Sequence, residues 1–244
     1  MNKKNKPQGE LIYGIHPVIE LLKAKRRKVI TLYTTKPMPK AWSKIQDLLP
    51  ERALPIQYVT RDILTDMVKS SDHQGVVAWV QHFPFRNKAF DPAKQKFLVL
   101  LDGIQDPRNV GAIIRSAYCT GTDGVILTQK FGAPLNAAAL KASAGLAEHL
   151  EIMIMPSSQL AVQALKEAGY TLYLATFGGK KATEITFQTP ACLVIGSEGE
   201  GIMPSILKAG IQVTLPQKTD DISYNASVAG GILLFLMGTQ LNKI

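Results

Sequence analysis

Short apolar runs alternate with amphipathic segments over most of the chain. Residues 97–101 form a continuous apolar run, which is typical of a strand buried on both faces of a parallel sheet. The pattern then predicts, in order, helix 110–120, strand 124–128, helix 135–146, strand 151–155, helix 158–167, strands 171–176 and 191–196, helix 202–209, strand 211–215 and helix 226–240. This order predicts a predominantly parallel α/β domain with helices on both faces of the sheet.

The first third of the chain predicts a separate, smaller α/β module. Its pattern indicates a helix from near Pro17, strand 29–34, helix 40–49, strand 56–59, helix 61–68 and strand 75–80. Residues 83–96 are polar and contain Pro84 and Pro92, a composition that fits a linker. We therefore expect a module at 9–82, a linker at 83–96 and a second domain at 97–244.

Composition narrows the class of protein. The chain has 244 residues, 46% of them apolar, and no run reaches the roughly 18 apolar residues of a membrane helix. The basic N-terminus lacks the apolar segment of a signal peptide. Cys119 and Cys192 lie beside apolar residues, which suggests reduced thiols. These observations predict a cytoplasmic protein without a membrane partner.

Histidine and cysteine spacing predicts no metal site, because the few such residues are scattered along the chain. For one of them, His73, two interpretations remain open: a residue that holds a turn, or an RNA contact.

Positive charge is concentrated in the first third. Residues 1–92 contain 16 Lys and Arg against 8 Asp and Glu, whereas the remainder contains 12 against 11. Lys25, Arg26, Arg27 and Lys28 are adjacent, which exceeds what a helix C-terminus needs, so contact with phosphates is expected. A nucleic-acid-binding module is the favoured interpretation, and a merely soluble basic surface is the alternative.

Three polar stretches follow apolar strands, where open α/β sheets bind their ligands. The first, 102–117, carries Asn109 near a helix start and Arg115 further along that helix. Burying Arg115 without a partner would be costly, so we expect it to face an anion or a carboxylate, or to be a surface residue with a buried stem. The second, 196–201, has three glycines and two glutamates, which would repel a pyrophosphate but tolerate a cationic ligand. The third, 215–229, taken alone, predicts a capped helix.

Together these stretches resemble the motifs of the SpoU family of RNA ribose 2′-O-methyltransferases, within the SPOUT class. The first motif is matched by residues 106–117, the second by 195–201, and the third by 215–216 with 223–229. Residues 12–18 and 73–78 are similar to the ribosomal-protein-L30e-like substrate-binding domain of the branch that methylates guanosines of 23S rRNA. The resemblance covers about residues 10–240.

The resemblance implies a C-terminal trefoil knot that binds S-adenosylmethionine, and a homodimer whose active site draws residues from both subunits. The cofactor would contact Thr176, Gly178, Ile195, Gly196, Leu215, Tyr224 and Ala226, largely through backbone groups. The catalytic group would be Asn109, Arg115, Glu198, Ser223 and Asn225.

The implied reaction transfers a methyl group to a ribose hydroxyl without a metal ion. Arg115 is a poor base, so we assign it to clamp a phosphate and stabilise alkoxide charge, with Glu198 orienting Arg115 or Asn109. Ser223 and Asn225 would position the ribose. The chain departs from the family at Tyr224, where a small aliphatic residue is usual, and the side chain could stack on adenine or narrow the pocket. The acidic pair 220–221 is also unexpected beside RNA.

The leading function is therefore methylation of a guanosine ribose in 23S rRNA. A tRNA or another rRNA position is the alternative target, and a non-catalytic RNA-binding protein with the same fold is the alternative function. A nucleotide-dependent oxidoreductase is disfavoured, because no dinucleotide-binding fingerprint follows the first strand of the second domain.

Overall fold

The computed structural model describes residues 9–50, 54–219 and 222–244, and the strands in this part of the chain form two separate sheets. The first has the order β1-β4-β2-β3, in which only β2 and β3 are parallel. The second has the order β10-β8-β9-β5-β6-β7, and every neighbouring pair is parallel. The strands are β1 (Glu10–Tyr13), β2 (Val29–Thr34), β3 (Ile56–Tyr58), β4 (Val76–Val80), β5 (Phe97–Asp102), β6 (Gly124–Thr128), β7 (Glu151–Met155), β8 (Thr171–Lys181), β9 (Ala191–Gly196) and β10 (Ile211–Thr214).

Helices connect the parallel strands and pack on both faces of the larger sheet. They are α1 (Ile15–Ala24), α2 (Trp42–Gln46), α3 (Arg61–Val68), α4 (Pro107–Cys119), α5 (Ala137–Ala142), α6 (Ser158–Glu167) and α7 (Ala226–Gln240), with 3₁₀ turns at Leu146–His149, Ala182–Glu184 and Pro204–Ile206. The apolar side chains of β5 alternate between two clusters, one beneath α4 and α7 and one beneath α6. The predicted parallel α/β domain is confirmed.

Several element boundaries differ from the prediction. Strand β1 was missed because four residues that pair only with distant β4 have no local signal. Helix α4 begins at Pro107 rather than 110, because Asp106 caps it by accepting the Arg108 N–H at 2.8 Å. Helix α5 ends at Ala142, since Ala144 and Gly145 adopt positive φ. The predicted helix 202–209 is a 3₁₀ turn only.

Strand β8 is interrupted where it passes β10. Ile211 and Gln212 pair with residues 173 and 174, whereas Val213 and Thr214 pair with 180 and 181. Residues 176–179 therefore bulge out of the sheet between two paired stretches. Gly178 has a φ of 73°, and a Cβ on Gly179 would collide with the backbone of Gln212.

The two sheets are joined by a buried ionic contact. The Arg27 guanidinium donates to both carboxylate oxygens of Glu148, and it also contacts Glu10. The side chains of Arg27 and Glu148 are each only 1% exposed. Arg26 donates to the Leu150 carbonyl at 2.5 Å. The first module is thus held against residues 148–150 of the second.

Residues 83–96 pack against the second sheet rather than hanging free between the modules. Phe83 and Phe90 are buried, and Arg86 forms a parallel bridge with Met153 of β7. The predicted linker therefore contributes to the contact between the modules.

Candidate active site

The carboxyl ends of β8, β9 and β10 surround a cavity of about 450 Å³. The start of α7 closes it, because Tyr224, Ala226, Ala229 and Leu233 line one side. A volume of this size is within the usual range for a small-molecule site. Segments far apart in the chain thus meet at the sheet edge where α/β proteins bind ligands.

The glycine-rich stretch forms a tight loop at the mouth of this cavity. Ser197 and Gly201 exchange two backbone hydrogen bonds of 3.0 Å, and Gly201 has a φ of 69°. A Cβ on Gly196 would collide with the backbone of Gly201, so the loop closes only with glycine at this position. Glu198 and Glu200, at the tip of this loop, are among the residues that line the cavity.

Asn109 and Glu198 meet although they are 89 positions apart. The Asn109 amide Nδ2 donates to Glu198 Oε1 at 2.6 Å. Helix α4 places Asn109 in its first turn, because Asp106 caps the helix directly before Pro107. Of the two partners predicted for Glu198, the structure brings it to Asn109.

Arg115 does not reach this pair. Its side chain is exposed, and within the described ranges it makes no hydrogen bond or ion pair. Six residues along a helix correspond to about 9 Å and 240°, so Arg115 lies on a different face of α4 from Asn109. The expected carboxylate partner is thus not found among the residues that the structure describes, and exposure removes the cost of burial on which that expectation rested.

The exposed face around Arg115 is apolar. Tyr118 on α4 is 41% exposed, and Val228, Ile232 and Phe235 on α7 are 49, 38 and 57% exposed. The α7 residues follow the spacing i, i+4, i+7, which places them on one face of the helix. Helices α4 and α7 pack closely because a glycine at 231 lies against Ser116. The surface that carries Tyr118, Val228, Ile232 and Phe235 is here called the α4–α7 face.

Ser223 and Asn225 lie between β10 and α7. Ser223 is exposed and lines the cavity. Asn225 caps α7, and its Oδ1 accepts from the Ser227 N–H at 2.8 Å and the Ser227 hydroxyl at 2.6 Å. The capping expected for this stretch is therefore present, and it occupies the Asn225 oxygen. The acidic pair 220–221 lies outside the described residues.

The predicted cofactor residues gather around one cavity, with a single exception. Lining residues include Thr176, Ile195, Gly196, Leu215, Tyr224 and Ala226. Gly178 does not line it, and a Cβ there would meet nothing within 4 Å. Tyr224, where the chain departs from the family, lines the cavity and is 42% exposed.

Asp102 is a site residue that sequence reasoning missed. It is 2% exposed at the end of β5. Its carboxylate accepts from the Met203 N–H at 2.8 Å and from the Ser158 hydroxyl. These hydrogen bonds fix the chain just after the glycine-rich loop. An acidic residue that ends an otherwise fully apolar strand was the signal available in the sequence.

The basic cluster divides into buried and exposed members. Arg27 is 7% exposed and paired with carboxylates, which corrects the expectation that it contacts phosphate. Arg26 is half-buried and bonded to residues 148–151. Lys25 and Lys28 are exposed and remain candidates for phosphate contact.

His73 holds a turn, and its 1% exposure removes it from RNA contact. Its Nδ1 accepts the Gly75 N–H at 3.0 Å, and its Nε2 lies 3.2 Å from the Thr65 hydroxyl. Burial, assisted by the charges of Arg61 and Lys141, lowers the pKa of His73 below its ordinary value.

Two family profiles together match most of the chain. The profile of the SpoU rRNA Methylase family matches residues 96–235, and that of "RNA 2'-O ribose methyltransferase substrate binding" matches residues 11–85. The chain belongs to the SpoU rRNA methylase family. The resemblance inferred from the three motifs is confirmed, as is the class of enzyme.

Individual relatives match over nearly their whole length. The chain is 31% identical to a 23S rRNA (guanosine-2'-O-)-methyltransferase RlmB from Yersinia pestis, over 93% of this chain and 96% of the relative. It is 29% identical to a putative TrmH family tRNA/rRNA methyltransferase from Bacillus subtilis, over 97% and 98%. The crystal structure of the SpoU methyltransferase AviRb from Streptomyces viridochromogenes superposes with a TM-score of 0.80 at 24% identity, over 99% of this chain and 94% of the other. The predicted fold class, a small N-terminal module with a SpoU methyltransferase domain, is confirmed. No helix in the described ranges is long and apolar enough to cross a membrane.

Proposed function

We propose that this SpoU protein is an S-adenosylmethionine-dependent RNA 2′-O-ribose methyltransferase that acts on a guanosine of 23S rRNA in the cytoplasm. Relatives described as 23S rRNA (guanosine-2'-O-)-methyltransferases are similar over both modules, which favours that target over a tRNA. The observation that carries the proposal is the Asn109–Glu198 hydrogen bond beside a cavity of about 450 Å³.

The residues around the cavity fit S-adenosylmethionine. Its apolar lining suits an adenosine, while Glu198 and Glu200 bring negative charge that suits a sulfonium and an ammonium group. AviRb, which has the same fold, has been crystallised in complex with AdoMet. When bound, the cofactor would supply an electrophilic methyl group.

The chain's own residues would hold the ribose in line for transfer. Correct orientation at contact distance supplies much of the rate in such reactions. Glu198 fixes the Asn109 amide, and we assign Asn109, with Ser223 and the amide nitrogen of Asn225, to position the ribose. The capping bonds of Asn225 involve its oxygen, which leaves that nitrogen available as a donor.

A homodimer would give the exposed Arg115 a role in the active site. The α4–α7 face exposes several large apolar side chains beside this arginine, and such a surface is typical of a protein–protein interface. Covering it with a second copy would direct Arg115 towards the partner's site. There its guanidinium, a poor base, would clamp a phosphate and stabilise negative charge on the ribose oxygen.

The proposed target is tested by mapping 2′-O-methyl groups in total RNA from cells with and without this gene. We expect one 23S rRNA guanosine to lose its methyl group in the deletion strain and to regain it when the wild-type gene is restored. The Asn109→Ala gene should not restore it. A lost site in tRNA would reassign the target, and an unchanged map together with no binding of S-adenosylmethionine in calorimetry would contradict the enzyme function.

The role of Arg115 has its own test. Arg115→Lys keeps the charge but loses the two-pronged geometry of a guanidinium, so we expect turnover to fall at least tenfold while the dimer and cofactor affinity are kept. Turnover close to that of the wild type would contradict the phosphate clamp.

A further inference from the structure

An exposed aromatic residue stands in a strained backbone conformation at the carboxyl edge of the large sheet. Phe131, in the loop after β6, is 59% exposed and has a φ of 62°. Bulky side chains seldom adopt this left-handed region, because there the Cβ comes too close to the following carbonyl oxygen. Glycine would serve this turn better, so local structure does not explain a phenylalanine.

The loop that carries Phe131 is held on both sides. The N–H groups of Gln129 and Lys130 donate to the carbonyls of Met155 and Pro156 at 2.8 and 3.2 Å, and Ala133 N–H donates to the Ile104 carbonyl at 2.7 Å. The backbone is therefore anchored to the ends of β7 and β5 while the ring stays in solvent. A ring presented in this way is preorganised for binding.

The Phe131 side chain starts beside the segment that leads into the first motif, residues 106–117. A Cβ placed on Gly103, the residue directly after β5, would be 3.6 Å from the Phe131 Cβ. Residues 103–106 then lead into α4 and to Asn109 in its first turn. Phe131 thus flanks the segment that positions the proposed ribose-binding asparagine.

A positive charge accompanies the ring. Lys130 Nζ is 5.0 Å from the centre of the Phe131 ring, and both side chains are exposed. An aromatic face with an adjacent cation matches single-stranded RNA, in which bases stack on aromatic rings and phosphates attract lysine. A purely apolar protein partner would leave Lys130 unpaired.

We infer that Phe131 is a stacking platform for an unpaired base next to the methylated nucleotide, with Lys130 contacting a neighbouring phosphate. This inference rests on the proposed function, because it takes the ligand to be the RNA substrate. Since every base has a face that can stack, the platform holds the strand without reading its sequence.

The test compares two fluorescein-labelled 12-mers, oligouridine and an abasic strand of the same length and charge, binding to the full-length protein. Stacking of one base is generally worth roughly 5- to 150-fold in affinity. We expect Phe131→Ala to weaken oligouridine binding at least fivefold and to leave the abasic strand within about twofold. Phe131→Trp should retain the wild-type preference, and Lys130→Ala should weaken both strands equally and reduce the salt dependence.

Phe85→Ala is the matched control, since Phe85 is another exposed phenylalanine, 37% accessible, in the segment before β5. It should leave both affinities unchanged. Binding of S-adenosylmethionine by calorimetry should be the same for Phe131→Ala and the wild type, which shows that the cavity is intact.

Methyl transfer from labelled S-adenosylmethionine to 23S rRNA from the deletion strain separates the two hypotheses. If Phe131→Ala binds oligouridine as the wild type does, while the wild type methylates the rRNA, the platform is refuted and the proposed function stands. If oligouridine binding depends on Phe131 but the wild type transfers no methyl group, the platform stands and the proposed function fails. Loss of dimerisation in Phe131→Ala, with unchanged oligouridine affinity, would assign the ring to a protein contact and overturn the inference.

Discussion

Removing the Glu148 carboxylate should destabilise the contact between the two modules more than any single surface change. Glu148 and Arg27 are each 1% exposed in their side chains, so Glu148→Ala leaves a buried guanidinium without its principal partner. Breaking a buried ion pair in this way costs about 3–5 kcal/mol. Arg27 keeps Glu10 and the Gln81 carbonyl at 3.2 Å, so we expect the lower end, about 3 kcal/mol.

The two tryptophans make the effect measurable in one module. Trp42 and Trp79 both belong to the first module, so fluorescence during urea unfolding reports that module, whereas circular dichroism reports the whole chain. Separate transitions by the two probes would show that the modules unfold independently. We expect Glu148→Ala to lower the fluorescence midpoint and to leave any later transition seen by circular dichroism in place.

Two comparisons make the result interpretable. Asp66→Ala removes the Lys69–Asp66 pair, whose side chains are more than 80% exposed, and it should cost no more than about 0.5 kcal/mol. Arg27→Met with Glu148→Leu should recover most of the loss, because no uncompensated charge is then buried. A Glu148→Ala midpoint equal to that of Asp66→Ala would refute the role given to the buried pair.

Three further predictions concern the dimer, pH and the cofactor. If the proposed homodimer forms through the α4–α7 face, Phe235→Glu should convert it to a monomer in light scattering. Phe85→Glu should not, because Phe85 lies outside that face. Because folding lowers the pKa of His73 below 6.5, the unfolded chain binds more protons, and the free energy of unfolding should fall as the pH drops below 6.5. His73→Asn keeps an acceptor for the Gly75 N–H, so urea unfolding between pH 5 and 7 should show a weaker dependence of that free energy on pH. Tyr224→Leu should change the Kd of S-adenosylmethionine less than about threefold by calorimetry, because we expect this position to contact the cofactor mainly through its backbone. A loss of fivefold or more would indicate that the tyrosine ring stacks on adenine.

Local patterns in the sequence predicted most of the fold. Strands β6, β7 and β9 and helices α3, α6 and α7 have the predicted bounds. Periodicity sufficed because each of these elements is longer than four residues and carries its own apolar pattern. The three polar stretches at strand ends were likewise visible, because a parallel sheet places the carboxyl ends of neighbouring strands at one edge.

Local patterns could not predict which distant residues the charged side chains contact. The basic run 25–28 indicated phosphate binding, yet Arg27 is held by Glu148, which is 121 positions away. Glu198 had two candidate partners until the fold brought it to Asn109, and Asp102 carried no sign that it would hold Met203. The sequence shows which side chains are charged. Whether such a side chain contacts solvent, a carboxylate or a backbone amide depends on which distant segment packs against it. That choice is made by burial and long-range pairing, and only the folded chain contains both.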